Sequence, residues 1–167
     1  MEDAVRSRPK HNTPMKHNSP FLALLLVLCG CSKMPDTLIK SGYDEKEMDA
    51  AIARARRETD QFIAELAKPA GDDHAVKAPI TDANGTEHFW LTDLTYKNGQ
   101  FEGTINNDPG IVRNVKLGQK WKIKKEEISD WMYMRGGKMH GNYTMRPLLK
   151  TMPEEEAAKL RAILAEP

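Results

Sequence analysis

From residue 44 onward the chain switches between two rhythms of apolar and polar positions. In DEKEMDAAIARARRETDQFIAELA, residues 44–67, the positions Met48, Ile52, Ala55, Thr59, Phe62, Ile63 and Leu66 recur about every 3.6 residues. That spacing places them on one stripe of an α-helix. Asp44 is positioned to cap it, with Glu47 three residues on as in a capping box. The segment is rich in Ala, Glu and Arg, all good helix formers. Beyond residue 87 the period shortens to two. EHFWLTDLTYK (87–97) and QFEGTIN (100–106) flank Asn98-Gly99, a two-residue hairpin signal. QKWKIKKE (119–126) sets Trp121 and Ile123 against Lys120, Lys122 and Lys124, and ISDWMYMR (128–135) reads as a fourth strand ended by Gly136-Gly137. Residues 68–86, interrupted by Pro69, Gly71, Pro79 and Gly85, read as a linker, and 107–118 as a turn-rich connection around Asp108-Pro109-Gly110. Near the end, Thr144 is placed to cap a short helix with Pro147 in its first turn. Thr151 and Glu154 then form a capping box for a last helix whose apolar side is Ala157, Leu160, Ile163 and Leu164. The expected fold is α+β: a long N-terminal amphipathic helix, an antiparallel sheet of four to five strands, and a C-terminal helix, all in one domain over residues 44–167.

The N-terminal segment follows neither rhythm. Phe21–Leu28 is continuously apolar but too short to span a bilayer, which takes about 20 residues. Behind Lys16 and His17 it has the length of a signal-peptide core, and Met15 is a candidate true start. The chain's two cysteines, Cys29 and Cys31, close this run. A disulfide across one intervening residue conflicts with the Cα separations that such bonds require. Leu28-Cys29-Gly30-Cys31 instead resembles the lipobox of bacterial lipoproteins, with Cys29 where Ala or Ser is commoner. The resemblance implies a signal peptide over 1–30, cleavage after Gly30, thioether lipidation and acylation of Cys31, and a tether over 31–43. Several acyl chains anchor stably where one is marginal. Ser32 after the anchor, where Asp would favour inner-membrane retention, implies the periplasmic face of the outer membrane in a Gram-negative cell. An ordinary secretory signal is the alternative.

Charge and length narrow the function classes. The 167 residues carry 25 Lys and Arg against 24 Asp and Glu, and residues 1–30 remove four and two of these. The remaining near-neutral balance argues against a nucleic-acid binder, which usually has a basic excess. Cleavage would leave no free thiol, so cysteine nucleophile chemistry is excluded. No cofactor motif is present: there is no H-E-x-x-H, no glycine-rich phosphate loop, no paired-cysteine metal pattern and no G-x-S-x-G.

The set Glu87-His88-x-Trp90, Gly103, Asn106 with Pro109, Gly118, Ile128-x-Asp130-Trp131 and Gly141-x-x-Thr144-x-Arg146 resembles the bacterial YegJ-like domain of unknown function. Ala51-Ile52 and Ala55-Arg56-x-x-Thr59 fit the same family, so the resemblance spans roughly residues 44–150. It implies a bacterial source and a fold, and it brings no reaction. Some toxin-immunity proteins carry a looser "I-x-D-W" and "G-x-Y-T" pattern.

These residues have architectural explanations. Asp130 can bond nearby backbone N–H groups, and Gly103 and Gly141 can be bulges or permit close approaches of backbone to a Trp ring. Trp90, Trp121 and Trp131 suit a core. Asn106 can hold the turn before Pro109, and Arg146 can pair with Asp130. A functional arrangement competes with that reading. His140, Asp130 and Arg146 are the candidate catalytic groups, through acid–base chemistry. Arg146, Thr144 and His88 are the candidate ligand-binding groups, since Arg suits carboxylate or phosphate. Met132, Met134, Met139 and His140 offer soft ligands that suit Cu(I), although Met at strand spacing is commonly core. Lys120, Lys122 and Lys124 can protect a sheet edge or meet an anionic envelope polymer. The expected function is a lipid-anchored envelope protein whose domain binds a protein or anionic polymer without catalysis. The alternatives are an enzyme acting on an envelope polymer, a toxin-immunity protein and a copper carrier.

Overall fold

The computed structural model describes residues 42–166. The expected signal segment, the expected lipidation site Cys31 and most of the expected tether lie outside the described residues. The helical stripe forms two helices, α1 (Glu45–Arg57) and α2 (Thr59–Ala67), where the sequence predicts one. Asp44 caps α1 as expected, accepting from the Glu47 N–H at 3.1 Å. The break at Glu58 has a local cause. The Ala55 carbonyl accepts from the Trp131 indole N–H and from the Thr59 hydroxyl, each at 2.9 Å. Side chains inserted into a helical hydrogen-bond ladder bend it.

Six antiparallel strands follow, not four to five: β1 (Asp72–Asp82), β2 (Gly85–Lys97), β3 (Gln100–Ile105), β4 (Lys120–Lys124), β5 (Asp130–Arg135) and β6 (Lys138–Gly141). They are ordered β4-β3-β2-β1-β5-β6. The expected linker over 68–86 holds β1, one of the two middle strands. Its Pro79 is tolerated for a positional reason. The β1–β5 ladder ends at Lys77↔Asp130, and the Ser129 N–H bonds the Lys77 carbonyl. Lys77 and Pro79 face the same side, so the missing donor of Pro79 points where β5 has already left. β6 completes a hairpin through Gly136-Gly137, both at positive φ, as Asn98 and Gly99 do between β2 and β3. These are the backbone conformations of a type I′ turn.

Two short helices end the domain, α3 (Met145–Leu149) and α4 (Glu154–Ile163). Neither expected side-chain cap forms. The Thr144 hydroxyl bonds Asp130, and the Thr151 hydroxyl bonds the Leu148 carbonyl. α1 and α2 cover one sheet face, where Ala55, Phe62, Val76, Phe89, Leu91, Phe101, Ile123, Ile128 and Trp131 form the main core. Trp131 is core as expected, whereas Trp90 and Trp121 are half-buried. The other face carries a smaller cluster of Ala75, Met132 and Met139, with Trp90, Met134 and Leu164 packed on it. β4 is an edge strand. Its Lys122 reaches Glu102 at 3.1 Å and Lys120 reaches the Thr104 hydroxyl at 2.8 Å. Among the described residues, no helix is long and apolar enough to cross a membrane.

Candidate functional site

A cavity of about 310 Å³ opens where the α1–α2 junction faces β5, β6 and the C-terminal segment. Arg54, Glu58 and Gln61 line it from the helices. Trp131, Tyr133, His140 and Gly141 come from the hairpin, and Tyr143, Arg146 and Glu166 from the chain beyond it. Strand alternation decides which hairpin residues take part. Tyr133 pairs with His140 across the ladder, so both project toward the helices. Their rings stack in parallel, 4.9 Å apart at 5°. His74 stacks on the other side of Tyr133 at 5.6 Å. Gly141 is required beside them: a Cβ there would lie 2.3 Å from the Trp131 carbonyl oxygen and 2.5 Å from its ring, and φ is +74°.

Tyr143 organises the charged wall. The Arg54 guanidinium lies 4.5 Å from its ring centroid and that of Arg146 5.3 Å. Its hydroxyl donates to Glu58 Oε2, while Arg54 Nε donates to Glu58 Oε1 at 2.8 Å. Burial alone would raise the Glu58 carboxyl. The hydrogen bonds from Tyr143 and Arg54, with the charges of Arg54 and Arg57, outweigh it and hold the group below its ordinary range. Burial and the Glu58 contact push Tyr143 up to about 12.

Arg146 does not pair with Asp130. Its Nη1 donates to the Gly141 and Asn142 carbonyls at 2.9 and 3.2 Å, and Nη2 donates to the Ala165 carbonyl at 3.0 Å. It clips the turn after β6 to the C-terminal segment. The other donors of the cavity are less occupied. Among the described residues, Arg54 makes a side-chain hydrogen bond only through Nε, and the His140 ring and the Gln61 amide make none.

The remaining predicted residues lie elsewhere. Asp130 is fully buried on the opposite sheet face. It accepts from the backbone N–H groups of Trp131, Tyr143 and Thr144 and from the Thr144 hydroxyl, the last two at 2.7 Å. Thr144 in turn accepts from Lys77 Nζ at 2.8 Å, and that ammonium sits 4.7 Å from the Trp90 ring centroid. Burial raises Asp130 and lowers Lys77, and each one's charge partly opposes the other's shift. His88 is exposed over much of its surface, yet its Nδ1 packs on the Ser129 hydroxyl at 2.8 Å. Burial there, then the charges of Lys77 and Arg56, lower it to about 4. The expected gathering of His88, Asp130, His140, Thr144 and Arg146 therefore divides between the two faces. So do the candidate copper ligands: Met132, Met134 and Met139 share the outer face, and His140 the inner one. The Met139 sulfur already accepts from the Asn142 amide at 3.0 Å.

Other motif residues have structural roles. Asn106 and Asn107 both tie their loop to β2: the Asn106 N–H donates to the Trp90 carbonyl and the Asn107 side chain accepts from the Trp90 N–H, each at 2.9 Å. Gly103 lies opposite the bulge in β2 between Thr92 and Thr95, one of its two expected roles, and meets Leu94 and the Thr92 carbonyl there. The buried Glu87 carboxylate gathers the N–H groups of Gly110, Ile111 and Val112. The sequence also gives no direct sign of Arg54, Glu58 and Tyr143 as site residues. The i,i+4 spacing of Arg54 and Glu58 marks them as helix-surface partners, but Tyr143 reaches them only through tertiary folding.

A family model described as "Uncharacterized protein conserved in bacteria (DUF2314)" matches residues 45–164. The chain belongs to this family. Every helix and strand, from α1 to α4, lies within the match, and Ala165 and Glu166 lie just beyond it. The "Uncharacterized protein YegJ" of Escherichia coli (strain K12) is 60% identical over 141 residues, covering 84% of this chain and 92% of the relative. The expected YegJ-like domain is thus present. A second relative, the "Putative ankyrin repeat protein NMB1133/NMB1171" of Neisseria meningitidis serogroup B, is 33% identical over 85 residues. That match covers 48% of this chain and 34% of the relative. No solved structure matches.

Proposed function

We propose that this member of the DUF2314 family is a lipid-anchored binding protein of the bacterial envelope, held by Cys31 on the periplasmic face of the outer membrane. Its domain takes up a group of a protein or an anionic envelope polymer in the cavity beside Arg54 and His140, and does not transform it. The observation that carries the reading is the division of labour among polar groups. Asp130, the strongest acid–base candidate, is fully buried on the opposite face with four donors around it. Arg146 is spent on backbone carbonyls. Unengaged donors of Arg54, His140 and Gln61 face a cavity floored by aromatic rings. Polar and charged groups make up most of the lining, and the stacked Tyr133 and His140 rings lie among them. The anchor is supported by Leu28-Cys29-Gly30-Cys31.

Two measurements test the reading. Metabolic labelling with a fatty acid should mark the wild type and leave Cys31→Ser unlabelled; equal label in both refutes the anchor. Capture from detergent-solubilised envelope should recover a partner that His140→Ala loses while remaining folded. Recovery of a chemically converted polymer by the wild type alone would make the protein an enzyme instead.

A further inference from the structure

We infer that the cavity recognises an oxyanion, the carboxylate or phosphate group of its ligand, between the Arg54 guanidinium and the His140 ring. The adjoining part of the ligand lies over the exposed edge of the Tyr133–His140 stack. The inference rests on reading the cavity as a binding site, and adds the chemistry of what it binds.

The choice of an anion follows from which atoms are already satisfied. The cavity holds two carboxylates, Glu58 and Glu166. Both oxygens of Glu58 accept hydrogen bonds from within the protein, one from Arg54 Nε and one from the Tyr143 hydroxyl. Glu58 is therefore a poor partner for a ligand cation, and it fixes Arg54 by its Nε edge. That leaves the two Nη groups of Arg54 with no carboxylate or carbonyl partner among the described residues and only the Tyr143 hydroxyl close to them, the fork that suits a planar or tetrahedral oxyanion. The Tyr143 face beneath the guanidinium restricts it further, so less side-chain freedom is lost when a ligand binds. His140 contributes ring nitrogens without a protein partner, and its plane is set by the 5° stack on Tyr133. Gln61 adds an amide without a partner. The volume of about 310 Å³ lies at the small end of ligand cavities. It suits one charged group with a small attachment.

Glu166 is the internal competitor. The C-terminal segment is held by the Ala165 N–H on the Met139 carbonyl at 2.9 Å and by Arg146 on the Ala165 carbonyl. This brings the Glu166 carboxylate into the lining near Arg146, whose charge it supports. An incoming anion meets its repulsion. Removing that charge should strengthen binding, an effect no purely structural role for Arg54 would produce.

The test uses the full-length protein in detergent micelles, with ring-labelled histidine observed by NMR and the His140 signal assigned through His140→Gln. Inorganic phosphate and acetate are the probes, and tetramethylammonium is the cationic control. Either anion should move the His140 signal with a dissociation constant of about a millimolar, within reach of so small a ligand. Arg54→Gln should weaken that response about tenfold while thermal unfolding shows the fold intact, and Glu166→Gln should strengthen it a few-fold. Phosphate alone would assign a phosphate ester as the natural group, and acetate alone a carboxylate. The inference is overturned if neither anion moves His140, if the cation does so instead, or if a folded Arg54→Gln binds as tightly as the wild type. A partner captured from envelope through His140 but indifferent to Arg54→Gln would leave the binding function standing and remove its anionic ligand.

Discussion

Replacing Trp131 tests whether the site stands on its core. The side chain is 3% exposed. Its ring lies 5.3 Å from Phe62, 5.5 Å edge-on from Tyr143 and 6.2 Å from Tyr133, and its N–H reaches Ala55 at 2.9 Å. Truncating a buried aromatic to Ala costs about 3–5 kcal/mol, a large part of a typical stability of about 5–15 kcal/mol. Trp131→Phe separates the two components. It keeps most of the ring area and loses the indole hydrogen bond, worth about 0.5–1.5 kcal/mol. The Ala55 carbonyl is not orphaned, because Thr59 still donates to it. A domain of this size shifts its melting temperature by about 4 °C per kcal/mol. Trp131→Ala should therefore melt about 12–20 °C lower and Trp131→Phe only about 2–6 °C lower, measured by near-ultraviolet circular dichroism. An Ala variant within about 4 °C of the wild type would mean that the indole does not support the sheet–helix interface, and the account of the α1–α2 break would fall with it.

Two further substitutions address the buried polar groups. Asp130→Asn keeps the shape but turns one acceptor into a donor against the Thr144 or Tyr143 N–H. It should cost about 1–3 kcal/mol in chemical denaturation, while ligand capture by the folded fraction stays unchanged; loss of capture at full stability would return Asp130 to the functional site. Glu58 has its carboxyl lowered on folding. Its stabilisation is complete above the ordinary carboxylate value of 4.5 and is lost as pH falls through the folded value. Glu58→Gln should accordingly be less stable at pH 7 and show a flatter acid limb in melting temperature against pH, and an unchanged limb would refute the Tyr143–Glu58–Arg54 linkage.

Legibility in the sequence followed locality. The β2–β3 hairpin was readable because Asn98-Gly99 states its turn in two residues, and the Lys120, Lys122, Lys124 face because alternation alone puts it opposite Trp121 and Ile123. β1 was not readable. Pro79 is a breaker by type, and it is harmless here because the β1–β5 ladder ends at Lys77, paired with a residue about fifty positions later in the chain, while Gly71 and Gly85 flank the strand rather than interrupt it. The helix break was hidden in the same way, since the indole that intrudes at Ala55 arrives from residue 131. For the site, His140 and Arg146 were visible as chemistry, but their surroundings were not. Arg146 reads as an anion binder until its carbonyl partners at Gly141, Asn142 and Ala165 are seen. Arg54 reads as one charge among many on a helix until Tyr143 meets it.

The motif residues gain a common purpose once both sheet faces are considered. Asp130 and Trp131 are adjacent, so their side chains leave β5 on opposite faces. Both grip the same turn. Asp130 takes the N–H groups of Tyr143 and Thr144 from the outer side, and Trp131 packs edge-on against Tyr143 on the inner side. Gly141 lets the turn approach the indole, and Arg146 closes it onto its own carbonyls. The segment 141–146 is thereby fixed from two sides, and with it the Tyr143 ring that seats Arg54. Arg54 itself comes from α1, which the Trp131–Ala55 hydrogen bond ties to the same strand. Residues that resemble a catalytic constellation in sequence thus act as the mount, and the groups they hold out, Arg54 and His140, are the ones left with unspent donors. Such a site is organised in advance, which suits the proposed binding function: the ordering cost is met in folding rather than at association.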